Sequence, residues 1–268
     1  MAKYKKKRAR ELQHDRFRDT TMSLLDRVGD KLEGRGRQIL YTLGGIVVLS
    51  LIIVFFFKWN SRKNDEAHQA IGRAIAIATA NIAGGNPAAV PTGLTFNSEE
   101  ERAQRAVEEF QKVAAKYGDP YRTEARYFIA TNQLIVDRQK GMQELADLQN
   151  SKLPQIVALA KFALAQAKEN EGELDEAAQL YSELARMNSD TVSAETANLR
   201  LAKIYRKQGK KQQAADLLFN IVDASRKAKR QDETPVPPSG AARDAATELE
   251  KLDPDRYAKL PPEMPALG

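Results

Sequence analysis

The sequence predicts an all-α chain with a single N-terminal transmembrane helix followed by a solenoid of helical hairpins. Three observations carry this. Residues 39–57 form an uninterrupted apolar run. Every long segment beyond it has apolar residues at helical spacing, with no alternating strand pattern. Breaks recur about every 15–20 residues, the length of one helix and one turn. They fall at Gly118-Asp119-Pro120, Gly141, Asn150 to Pro154, Gly172, Asn188 to Thr191 and Gly209.

The apolar run carries no charge and no proline. As a helix rising ~1.5 Å per residue it is roughly 28 Å long, close to the ~30 Å hydrocarbon core. A transmembrane helix is therefore expected over 38–59. Tyr41 and Trp59 are its expected interfacial anchors, because amphipathic rings favour the headgroup level. Residues 1–37 hold twelve Lys/Arg and six Asp/Glu, so the whole formal charge of +6 lies there and the remainder is balanced. Basic flanks stay in the cytoplasm. The N-terminus is accordingly expected inside and the bulk of the chain outside. No Ala-x-Ala follows the run, which continues Lys58-Trp59-Asn60-Ser61, so an uncleaved anchor is expected. The absence of cysteine excludes a lipoprotein anchor, disulfides and thiolate metal sites.

Residues 2–12 read as a basic topogenic tail, or as one in contact with anionic lipid of the inner leaflet. Without aromatic platforms, nucleic-acid binding is not expected. Within 15–33, Phe17, Thr21, Leu24, Leu25, Val28 and Leu32 mark an amphipathic helix that lies on the leaflet or docks on a partner.

From residue 60 to 228 a helical-hairpin domain is expected. Ala67, Ala70, Ile71, Ala74, Ile75, Ala78 and Ile82 predict a helix ending at Gly84-Gly85, with a loop over 84–97. Ser98 with Glu101 predicts a capping box at the next helix start. The tetratricopeptide pattern, a 34-residue helix–turn–helix, fits residues 195–228 through Leu201-Ala202-x-x-Tyr205, Gly209, Ala214, Leu218 and Ile221. It fits 158–191 through Leu164-Ala165, Gly172, Ala177, Tyr181 and Leu184. Ala106, Phe110 and Val113 mark an earlier second helix. A weaker unit is expected with its turn near Gly141 and its small residue at Ala146. Residues 229–268 are expected to be a linker (229–238), a capping helix opened by Ser239 and a Pro-rich extended tail.

This order of basic segment, anchor ending in Lys58-Trp59-Asn60-Ser61, alanine-rich helix and degenerate repeats resembles the YfgM-like family. These are bacterial inner-membrane tetratricopeptide proteins, ancillary to the SecYEG translocon. The resemblance covers roughly residues 38–225. It implies a single-pass inner-membrane protein with a periplasmic domain, meeting the translocon, periplasmic chaperones or newly exported clients. A scaffold for another envelope assembly, in division or outer-membrane assembly, shares the layout.

Enzymatic chemistry is not expected. His14 and His68 are the only histidines, so neither a Ser-His-Asp arrangement nor a His-rich metal site can be built. No phosphate-binding glycine loop is present, and no cofactor is expected. In this repeat the first helices line the concave side. By position that places Phe162, Gln166, Glu169 and Asn170, then Leu199, Lys203, Arg206 and Lys207, on a partner-binding face. A basic strip beside an apolar patch suits an acidic or extended peptide, or another protein. Phe162 and Leu199 stand where a carboxylate-clamping repeat has lysine.

Overall fold

The computed structural model describes residues 63–83, 93–187, 189–230 and 234–262. The tail, the amphipathic segment, the run 39–57 with Tyr41 and Trp59, and the junction at 60–62 lie outside the described residues. The chain divides into two compact units, Met1–Asp65 and Glu66–Gly268. Among the described residues no helix is long and apolar enough to cross a membrane.

Helix α1 (63–78) precedes a short strand pair, β1 (Asn81–Ile82) and β2 (Thr95–Phe96). Eight helices then alternate with short turns: α2 (Glu99–Lys116), α3 (Tyr121–Val136), α4 (Arg138–Leu148), α5 (Pro154–Glu171), α6 (Leu174–Arg186), α7 (Ala194–Lys207), α8 (Lys211–Lys227) and α9 (Gly240–Leu252). One further turn, α10 (Pro254–Tyr257), follows. From α2 to α10 each helix packs on the next in sequence, and α3 also meets α5, as α7 meets α9. That neighbour-only pattern is a solenoid.

The local starts and stops have visible causes. Ser98 Oγ accepts the Glu101 N–H at 3.0 Å, as expected for a cap. The Glu101 carboxylate, however, reaches one residue further back than a capping box requires. It accepts the Asn97 N–H at 2.9 Å and the Asn97 side-chain amide at 3.0 Å. Ser193 and Ser239 cap α7 and α9 in the same way. Gly172 and Gly209 close α5 and α7 with φ of 80° and 75°, a left-handed conformation that suits glycine.

Helix α1 ends earlier than Gly84-Gly85. The Thr79 hydroxyl donates to the Ile75 carbonyl at 2.9 Å, and the Ala80 N–H tightens onto Ile77 at 3.1 Å. The chain then enters β1, which pairs in parallel with β2 in the register Asn81↔Thr95 and Ile82↔Phe96. The segment expected as a loop over 84–97 therefore ends in a strand, Thr95–Phe96, laid parallel to the residues that follow α1.

Gly141 is also not a break. It lies within α4 and is buried, the turn falling at Asp137. A Cβ there would stand 2.6 Å from the Leu134 backbone nitrogen and 2.9 Å from the Ala130 carbonyl oxygen. Ala146 is exposed. The small residue of this hairpin is thus Gly141, and the corrected series is Ala106, Gly141, Ala177, Ala214, at intervals of 35, 36 and 37 residues. Four residues on stand Phe110, Leu145, Tyr181 and Leu218, and three beyond these Val113, Leu148, Leu184 and Ile221, all buried. Small residues at one position let each hairpin close, and the large residue one turn later fills the gap beside it.

The core runs along the chain as successive apolar clusters. One joins α1, α2 and α3, the next α3, α4 and α5, and a third α5, α6 and α7. The last joins α7 and α8 to α9 and Leu260. The end of the array is therefore covered. The segment after α10, expected to be an extended tail, is packed at least as far as Leu260, which is buried. The Pro261 carbonyl accepts from Arg226 at 2.5 Å.

Candidate functional site

A groove of about 470 Å³ opens across the first helices of three successive hairpins. Tyr127, Thr131, Leu134 and Ile135 come from α3. Ala163, Gln166, Ala167, Glu169 and Asn170 come from α5, and Arg200 from α7. Arg138, the first residue of α4, completes it. Steps of three and four residues along each helix bring these side chains to one face.

Three of the eight residues expected on the partner-binding face are in this groove: Gln166, Glu169 and Asn170. The structure does not bring the other five there. Phe162 packs inward, its ring edge-to-face with Tyr181 at 5.9 Å. Leu199 is buried in the last cluster with Ala242, Ala245 and Leu249. Arg206 is ion-paired to Glu248 on α9. Lys207 is bound to Glu169 at 2.6 Å. Lys203 is half-buried.

Glu169 anchors the groove floor. Its carboxylate accepts from Lys207 on α7 and, at 3.2 Å, from the Tyr181 hydroxyl on α6. Burial, followed by the Glu169 charge, pushes the Tyr181 hydroxyl well above its ordinary 10.0, so it stays a donor at neutral pH. Burial likewise raises Tyr127, which keeps its proton at the groove wall. Outside the groove, Lys168 joins α5 to α6 through Glu173 and Glu176, and these hydrogen bonds raise its pKa.

Tyr127, Thr131, Leu134, Ile135, Arg138, Ala163, Ala167 and Arg200 line the groove without being expected there. For Arg200 a signal was present: it lies three residues before Lys203 and seven before Lys207, on the same helical stripe. The α3 residues carry no such signal, because a turn expected near Gly141 puts that hairpin out of register with the turn at Asp137. Among the described residues no group of three or more His, Cys, Asp or Glu is placed to hold a metal ion.

Comparison with known proteins agrees with this geometry at one repeat. Residues 196–223, spanning most of α7 and most of α8, match the tetratricopeptide repeat family. No curated protein matches the chain. Two solved structures resemble it, the nearly identical tetratricopeptide-like repeats of a Podosopora anserina kinesin light chain and a single-substitution variant of the same protein. Each is 19% identical, with a TM-score of 0.45 over 59% of this chain, and covers 81% and 80% of the respective solved chain. The array is a helical solenoid of tetratricopeptide-like hairpins, a repeat type that implies a scaffold for protein–protein interaction.

Proposed function

We propose that this chain is a membrane-tethered scaffold that binds proteins on the extracytoplasmic side. In this reading it works beside the protein-export translocon and engages newly exported chains. The groove across α3, α5 and α7 carries the binding part. It is concave, mixes apolar and polar walls, and is built from the first helices of consecutive hairpins. No catalytic step is assigned to it. The tether rests on the uncharged run 39–57, and the orientation on the +6 charge confined to residues 1–37. The translocon assignment rests on the family resemblance of residues 38–225.

Two measurements test this. Protease added to spheroplasts digests the repeat domain if it faces outward; its survival overturns the orientation. Affinity purification of the full chain in mild detergent recovers translocon subunits. Crosslinks in cells to division or outer-membrane assembly factors in their place overturn the translocon assignment and leave the scaffold reading standing.

A further inference from the structure

Charge is distributed unevenly in the groove. Glu169, the one acid lining it, is already engaged by Lys207. Arg138 and Arg200 line the same space, and among the described residues neither has a carboxylate within ion-pair distance. The side-chain amides of Gln166 and Asn170, one turn apart on α5, have no hydrogen-bond partner among the described residues. Beside them Leu134 is partly buried and Ile135 is 42% exposed, one of the few large apolar side chains left so open among the described residues. Two unpaired guanidinium groups, two unbonded amides and an open apolar wall therefore share one cleft.

We infer that the groove takes an extended, acidic segment of a partner protein. Its carboxylates meet Arg138 and Arg200, its main chain bonds the amides of Gln166 and Asn170, and an apolar side chain rests on Leu134 and Ile135. Arginine suits this role because its planar fork binds a carboxylate through two parallel N–H groups. Asn and Gln amides each offer a donor and an acceptor, matching a peptide unit. The inference deepens the proposed function and rests on its reading of the groove as the partner-binding face.

The test uses the full chain in mild detergent and three short fluorescein-labelled peptides of Leu, Ser and one variable residue: Glu, Gln or Lys. The Glu peptide is expected to bind at least about ten-fold more tightly than the Gln peptide, with the Lys peptide weakest. Arg200→Ala and Arg138→Ala are each expected to remove most of that preference, and Arg→Lys to restore part of it. Both arginines lie at the surface of the cleft, so the thermal midpoint serves as a folding control. Equal binding of the Glu and Gln peptides overturns the acid preference while leaving the groove as a docking face. If no peptide binds, and a photocrosslinker at Thr131 captures nothing in cells, the groove reading itself fails. Displacement of the Glu peptide by a single-stranded oligonucleotide at lower concentration than by unlabelled peptide assigns the arginines to phosphate and overturns the inference.

Discussion

Gly141 lacks a side chain where the α3 backbone lies against α4. A methyl group added there meets backbone atoms of Ala130, Gln133 and Leu134, which cannot rotate away as a side chain can. Gly141→Ala is expected to destabilise the fold by about 1–3 kcal/mol, read as a lower urea midpoint. On an exposed helix the same change would stabilise. The residue was visible in the sequence, but its role was not. Glycine between helical segments reads as punctuation, and only the intervals 35, 36 and 37 place it in line with Ala106, Ala177 and Ala214.

A second residue-scale prediction concerns Glu183. The Lys161 amine on α5 donates to its carboxylate on α6 and holds its pKa below the ordinary 4.5. A depressed carboxyl stabilises the fold fully above its unfolded value, and that stabilisation is lost as pH falls through the folded value. Glu183→Gln is therefore expected to lower the thermal midpoint at pH 7. The gap to wild type should close as the pH drops below 4.5. A gap constant down to pH 3 would show that packing, not charge, links the two helices.

At the scale of the element, helix α2 shows how far local chemistry was legible. Serine before three glutamates marked its start, and the cap stands where expected. Ser98→Ala is expected to cost about 1 kcal/mol, measured by chemical denaturation. The partner of Glu101 was not legible, since bonding Asn97 rather than Ser98 depends on how the chain arrives from β2. The same limit explains α1. Its apolar stripe continues to Ile82, so periodicity alone carries the helix too far. What stops it is a threonine hydroxyl turning back on its own helix and a strand supplied from fourteen residues later. Arg200 was also missed at this scale. The face expected on α7 is Leu199, Lys203, Arg206 and Lys207, but Leu199 turns into the core and its neighbour Arg200 lines the groove instead.

Across the whole solenoid, the hairpins were legible because each is local in sequence, while the closing of its end was only partly so. Ser239 caps α9 and also donates to Glu195 at 2.6 Å, joining the start of α9 to the start of α7. Arg256 pairs with Asp216 at 2.6 Å, and Arg226 lies 5.3 Å over the Tyr257 ring. These contacts hold a lid over Leu199, Leu218 and Val222. Removing residues 240–262 is expected to expose that apolar face, lower the thermal midpoint and induce self-association visible by light scattering. A truncated chain that stays monomeric with an unchanged midpoint would show the array closed without its last helices.

The two-residue ladder between β1 and β2 has a practical consequence. It is parallel, with the Ala83 N–H bonded to Phe96 at 2.8 Å, so the chain leaves the ladder at Ala83 and re-enters it at Leu94, at opposite ends. Strands in such a pair rise about 3.3 Å per residue and lie about 4.8 Å apart. Foreign sequence spliced between Ala83 and Gly93 must therefore bring its own spacer to cover the length of the ladder, and with one it leaves the strand pair unstrained. An epitope or a cysteine placed there on such a spacer tests the proposed orientation of the repeats.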